Sequence, residues 1–505
     1  MLIIDCDTFF GTRANCRTNV SPSALVETLG SDGIRCALAY SVKARTFDAQ
    51  EGNNDALSAA RTHPEILPVA SVDPRSFERL EEEIARSAEL GFAALRVFPE
   101  LQGWSVDSVL FSRIVNACAE HNLPLMVSTE TPGKASAVVE RAANASLPII
   151  MLGANYNVLA EVLSAAQARP NTYVSTQYFV TPGALELAVE SVGADRLVLG
   201  TGSPDFSARP AVNVILGADI PDSEKNKILG GNAATIIAGQ LAKLGARSLE
   251  SSLETFRRRS LTEPIIDVHG HLGPWPFPMR GWGGADVVQL MRRRGIEKAI
   301  LSSTKAIVND FVDGNADLAR EIADFDELLG YVTVNPNHLE ESIQEINRYL
   351  GSPKFVGVKT HPGYSGQSID SPAMRELLAV IAAAGAPLLV HCWGHGEPSK
   401  VGKLAEEYPH VPIIMGHGGV TAWQEAIEVM KTAPNVYTEF CSSRVERGRV
   451  RATIDAVGCE RVLFGSDLGL FDPIYNLGIY EEADLTPAER EAVMYGNAKR
   501  LFGIS

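Results

Sequence analysis

The sequence predicts an α/β protein of two tandem (β/α)8 barrels packed together as a pseudo-dimer. Three observations predict it. The 505-residue chain repeats itself once along its length, each half alternates short apolar runs with longer amphipathic stretches, and the second half holds eight such runs.

The repeat is read from landmarks. Ile4-Asp5 recurs as Ile266-Asp267 and Asp73-Pro74 as Asn335-Pro336. "LPLMVS" ending at Ser128 matches "APLLVH" ending at His391, and "LPIIMLGAN" with Gly153 matches "VPIIMGHGG" with His417. "DRLVLGTGS" with Gly202 matches "ERVLFGSDL" with Asp467, and "GGNAA" at 230–234 matches "YGNAK" at 495–499. The offset drifts only from 262 to 265, which points to two homologous halves. The expected division is a first barrel over 1–245, a helical linker over 246–262 and a second barrel over 263–505. The joining stretch is polar and helix-prone rather than Gly/Pro-rich, so it reads as a helix and not a tether.

In order, the runs of the second half are "PIIDVHGH", "KAILSS", "LLGYVTVNP", "KFVGVKTHP", "PLLVHCWG", "PIIMGHGG", "NVYTEFC" and "RVLFGSD". Runs that are apolar throughout read as parallel strands buried on both faces. Stretches such as "SPAMRELLAVIAAAG" between them carry helical spacing and a Ser-Pro start, so they read as the crossover helices.

Bulk properties narrow the function. Composition is 45% hydrophobic and 21% charged, as in ordinary globular proteins. A net charge of −16 and an isoelectric point near 5.2 argue against a nucleic-acid partner, which needs a basic face. Apolar runs stop well short of the roughly 20 residues of a membrane span. The start of the chain lacks the basic, then apolar, pattern of a secretory signal. Seven cysteines without CxxC spacing suit a reducing compartment, so a cytoplasmic enzyme with a small-molecule substrate is expected.

Catalytic groups of such barrels sit at the C-terminal ends of strands. There the second half places His269 and His271, Lys359, His391, His417 and Asp467. Each alone has a plain alternative: a hydrogen-bonded core histidine, a snorkelling lysine, an N-capping aspartate. Jointly, ligand-type groups at the same phase of five strands suit a borderline cation such as zinc. Eight of ten histidines lie beyond position 258. The loop "GPWPFPMRGWGG" puts Trp275, Phe277, Arg280 and Trp282 over the mouth, matching a planar or aromatic acid. Arg444 is a second candidate anion binder, and His361 and His395 are candidate substrate contacts.

"DVHGH", "GVKTHP", "LLVHCWG", "IMGHGG" with Trp423 following, "VLFGSD" and "GNAKRLFG" together resemble the amidohydrolase superfamily. The closest branch is the amidohydrolase-2 group that includes aminocarboxymuconate-semialdehyde decarboxylase. The resemblance implies His269, His271, His391 and Asp467 as metal ligands. It gives His417 two roles, ligand of a second metal or catalytic base. It leaves Lys359 two roles as well, carboxylated bridge between two metals or unmodified holder of a substrate carboxylate. The implied cofactor is zinc, one ion or two, with manganese or iron as alternatives. The implied function is hydrolysis of an amide, lactone or ester of a small organic acid by metal-activated water, with Asp467 moving the proton. The alternative is a metal-dependent, non-oxidative decarboxylase, and a third reading is a binding protein with a vestigial site.

In the first half Asp7, Phe9, Arg96, Ser128, Gly153 and Gly202 stand where His269, His271, Lys359, His391, His417 and Asp467 stand in the second. No ligand is kept, so the first barrel is expected to be non-catalytic and the pair to have one active site. Further self-association is compatible with this reading.

Overall fold

Parallel pairing between consecutive strands organises both halves. The computed structural model describes residues 2–14, 20–76, 79–241 and 264–504, and the chain divides into two compact units, Met1–Arg258 and Arg259–Ser505. The expected helical linker over 246–262 lies outside the described residues.

The first unit carries β1 (Ile4–Phe10), β2 (Cys36–Ser41), β3 (Ile66–Ser71), β4 (Ala94–Val97), β5 (Leu125–Ser128), β6 (Ile149–Leu152), β7 (Thr172–Ser175) and β8 (Leu197–Val198), paired in that order. Cys6 N donates to Leu199 O at 2.8 Å and Phe9 N to Ser203 O at 3.1 Å, which joins the last strand to the first and closes the barrel.

The second unit carries β9 (Ile265–Leu272), β10 (Ile296–Ser303), β11 (Leu328–Thr333), β12 (Phe355–Thr360), β13 (Leu388–Trp393), β14 (Ile413–Gly419) and β15 (Val436–Thr438). These seven form one parallel sheet in sequence order. The eighth run, "RVLFGSD", differs from a regular strand. It closes the barrel through two single bridges, Val462 with Thr438 and Leu468 with Gly270. The cause is local: Asp467 at φ +58° and Gly469 at φ +92° turn the backbone out of the extended region.

Crossover helices follow their sequence signals. In Pro372–Ala384, Ser371 Oγ accepts from Met374 N, proline opens the first turn and Gly385 closes it in a left-handed conformation. Its Leu377, Leu378 and Ile381 pack with Val358, Leu388, Val390 and Ile413 between helices and sheet. Burying each such side chain stabilises by about 1.5–3 kcal/mol. Inside the barrel Ile266, Val268, Ile300, Tyr331, Leu389, Ile414 and Leu463 fill the floor below the mouth. Among the described residues no helix is long and apolar enough to cross a membrane, and the described cysteines are free thiols.

The repeat extends to individual hydrogen bonds. Asp267 accepts from His269 N at 3.0 Å and from Ser466 N at 3.1 Å and Ser466 Oγ at 2.5 Å. Asp5 accepts from Asp7 N at 3.0 Å, Thr201 N at 3.1 Å and the Thr201 hydroxyl. Asn315 exchanges two bonds with the Thr333 backbone as Asn53 does with Ser71. A one-residue bulge interrupts β9 after Asp267 and β1 after Asp5. What closes each barrel is thus present in both halves.

Candidate metal centre

In the HxH pair of β9, His269 lies within that bulge and His271 just past it. His269 and His271 are buried. His269 Nδ1 lies 2.8 Å from Glu439 Oε1, and a carboxylate can only accept, so this nitrogen donates and Nε2 carries the lone pair. Ser302 stands directly opposite His271 in the β9–β10 ladder, and its Oγ meets His271 Nδ1 at 3.0 Å. A hydroxyl serves either tautomer, so His271 can also present an Nε2 lone pair.

The two Nε2 atoms point at Asp467. His271 Nε2 is 2.8 Å from Asp467 Oδ1, and His269 Nε2 is 3.7 Å from it. Lys359, fully buried on β12, brings Nζ to 2.8 Å from His269 Nε2.

His417, on β14 at φ +66°, donates from Nδ1 to Cys441 O at 2.9 Å. Its Nε2 therefore accepts from His391 Nδ1 at 2.9 Å, which leaves His391 Nε2 as a free lone pair. His391 on β13 stacks on His361 at 3.8 Å between centroids, with Trp393 on its outer side.

The electrostatics match this hydrogen bonding. Burial, reinforced by Lys359, holds His269 well below the ordinary histidine range, and burial lowers His271 and His391 too. Burial pushes Asp467 up, but His269 and His271 outweigh it and hold the carboxyl below its usual range. Burial brings Lys359 down to about 8, opposed by Asp467 and Glu439. Neutral imidazoles beside an anionic carboxylate are the protonation states that ligation requires.

Among the described residues two donor groups are close enough to hold an ion: His269, His271 and Asp467, and His269, His417, Glu439 and Cys441. The second is already saturated by the protein. Glu439 accepts from His269 Nδ1, from His417 N at 2.7 Å and from Cys441 N at 2.6 Å, while His417 Nδ1 is committed to Cys441 O. The first brings its donor atoms within 4.8 Å of one another, and with His271 Nε2 deprotonated and Lys359 Nζ turned away it fits a divalent cation. Glu439 then backs the ligand His269 as a partner that fixes its tautomer.

The amidohydrolase family profile (Amidohydro_2) matches residues 22–237 and 266–504. The chain belongs to the amidohydrolase family. It is an enzyme of that family, dependent on a divalent metal. No curated protein sequence matches it. Among solved structures, 2,6-dihydroxybenzoate decarboxylase from Rhizobium aligns at 17% identity, TM-score 0.41, over 48% of this chain and 99% of its own. 5-carboxyvanillate decarboxylase from Sphingomonas paucimobilis aligns at 15% identity, TM-score 0.39, over 48% and 99%. A dihydroxybenzoic acid decarboxylase from Polaromonas with bound manganese aligns at 17% identity, TM-score 0.38, over 48% and 97%.

Within this amidohydrolase, not every residue singled out in the sequence reaches the cluster. Trp275 does: its buried ring meets His271 edge-on at 4.8 Å and stacks with Tyr364 at 6.4 Å. His361 does too, through His391, and burial pushes it down to about 2. Arg280 does not. It is 69% exposed, pairs with Asp286 at 2.6 Å and lies over Trp282, whose backbone bridges Gly273. His395 is exposed and faces Glu425, and Arg444 is exposed. Polar termini on short loops find solvent or a local carboxylate sooner than a buried cluster. Glu439, Ser302, Tyr364 and Trp393 were not foreseen. A glutamate closing the apolar run "NVYT" was the available signal for Glu439.

The first barrel fills the same positions differently. Arg96 pairs with Asp7, so a fixed cation occupies the ligand end of the strands. Gly153 and Gly202 have φ of +78° and +75°. A Cβ on Gly153 would lie 2.1 Å from Glu130 Cγ, and one on Gly202 would lie 2.3 Å from Gln177 Nε2. Neighbouring side chains have taken the space that His417 and Asp467 use in the second barrel.

Proposed function

We propose that the second barrel hydrolyses a C–N or C–O bond, in an amide, lactone or ester of a small planar organic acid, with zinc as its metal. The observation that carries this reading is the approach of His271 Nε2 and His269 Nε2 to Asp467 Oδ1, at 2.8 and 3.7 Å, each imidazole held by a partner on its other nitrogen. His391 adds its free Nε2 as the fourth ligand. A divalent cation held by these residues would supply Lewis-acid polarisation of a carbonyl and a water whose pKa is lowered to about 7. Asp467 takes the proton of the attacking water and returns it to the leaving group. Trp275, Tyr364 and His361 form an aromatic wall that orients a flat substrate and excludes bulk water.

Lys359 has two roles in this reading. With CO2 attached to Nζ it supplies a bridging carboxylate for a second cation, and His417 becomes a ligand. Unmodified, its ammonium holds the substrate carboxylate. A second reaction, non-oxidative decarboxylation, is favoured by one observation, the His391–His417 hydrogen bond. That pair would deliver a proton to the carbon from which CO2 departs.

Incubating the metal-loaded protein with a panel of lactones, esters, amides and aryl carboxylic acids, and following hydrolysis products and CO2 separately, distinguishes the reactions. Asp467→Asn should lower hydrolysis by about 10²-fold or more. Hydrolysis unaffected by that change, or CO2 release alone, would refute the hydrolase.

A further inference from the structure

We propose that the mouth of the first barrel is a metal-free binding site for a small organic carboxylate, built on Arg45 inside a cage of Phe9, Tyr40 and Phe98. This goes beyond a barrel kept only as scaffold.

Two arginines press on one aromatic cluster. Arg45 Cζ lies 5.3 Å from the Phe9 centroid, 5.5 Å from Tyr40 and 5.7 Å from Phe98. Arg96 Cζ lies 4.9 Å from Tyr40 and 5.1 Å from Phe98. The rings are buried and pack on one another at 5.7 and 5.0 Å. All these residues stand at or just beyond the C-terminal ends of β1, β2 and β4, where barrels of this fold bind ligands.

One guanidinium there lacks a direct carboxylate partner. Asp7 neutralises Arg96, and Asp205 is held by both terminal nitrogens of Arg13 at 2.5 Å. Lys43 is answered by Asp55 at 2.8 Å. Glu130, exposed on the rim and bonded to Ser128 Oγ at 3.2 Å, acts on Arg96 at longer range. Among the described residues Arg45 meets no carboxylate. Its Nη1 donates to the Tyr40 hydroxyl at 2.8 Å, and its Nε is shielded from solvent with no acceptor. The edge formed by Nε and Nη2 is left, and it is the fork that a carboxylate engages with two parallel hydrogen bonds. The buried rings beneath hold the guanidinium plane in place, so its fork recognises the carboxylate of a small organic acid.

The test uses the full-length protein with benzoate as probe and neutral benzamide as control. Calorimetric titration of the wild type, Arg45→Gln and the second-barrel variant His269→Ala/His271→Ala is combined with phenylglyoxal modification mapped by peptide mass. Benzoate should bind, benzamide should not, and benzoate should protect Arg45 from modification. Arg45→Gln should weaken that binding by about tenfold or more, while the second-barrel variant keeps it. Equal binding of benzamide, no protection of Arg45, or an Arg45→Gln titration like the wild type would overturn the proposal. A thermal midpoint of Arg45→Gln without ligand confirms folding, and the protection mapping on wild type stands without any variant.

Discussion

His269 Nδ1 and Glu439 Oε1 lie 2.8 Å apart at the base of the cluster, and this bond decides which face of the imidazole meets the cation. Glu439 is fully buried and gathers two backbone N–H groups as well. A Cβ on Gly465 would lie 2.7 Å from its Oε2, so the glycine makes room for it. Glu439→Gln should weaken metal affinity by about 10–100-fold, because the amide places a donor against donors and frees the His269 ring to change tautomer. Competition with a chromogenic chelator measures this, and an unchanged affinity would remove Glu439 from the site's support.

His417 and Asp467 hold left-handed backbone conformations, φ +66° and +58°, where the first barrel has glycine at φ +78° and +75°. Side chains at such positions cost about 1–2 kcal/mol. The second barrel bears that cost at His417 and Asp467, and the first, with glycine there, does not. In metal-free protein, Asp467→Gly should therefore be more stable than Asp467→Ala by about 1 kcal/mol. Denaturant midpoints of the two variants give the comparison, and an alanine variant equal to the glycine one would show that no strain is stored there.

Asp5 gives a pH-dependent prediction for the first unit. Burial raises its carboxyl from 3.8 to about 7, against hydrogen bonds from Thr201 and the Asp7 backbone. The folded state binds this proton more tightly than the unfolded chain does. The group's contribution is thus fully present below about pH 4 and is lost as pH rises to about 7. Asp5→Asn cannot ionise, so its thermal midpoint relative to wild type should move in the variant's favour between pH 4 and pH 7. A difference between the two proteins that stays constant over this range would mean that Asp5 folds already ionised.

Much of the fold was legible because its signals are periodic. Two sets of apolar runs at a constant offset specify two barrels, and the structure pairs the strands in sequence order. The eighth run of the second half was legible as barrel-closing but not as irregular, since the left-handed turn at Asp467 has no signature where glycine is absent. The HxH pair, Lys359, His417 and Asp467 were legible because strand ends fix their phase. Glu439 and Ser302 were less so, because their significance lies in what they face across the barrel or the ladder. Arg280 was not legible for the opposite reason: a charged residue in a mouth loop has several places to go, and here it pairs with Asp286. In the first half, the loss of ligands was readable. The arginine–aromatic cage that replaces them needed coordinates.

The central claim is that the chain holds its metal in the second barrel alone. Its most direct measurement is metal content after zinc loading and gel filtration of the full-length wild type and of His269→Ala/His271→Ala, with anomalous scattering to place the ion. The account predicts one or two equivalents in the wild type beside His269, His271 and Asp467, and none in the double variant. Full metal content in the double variant, or an ion located beside Asp7, would contradict it.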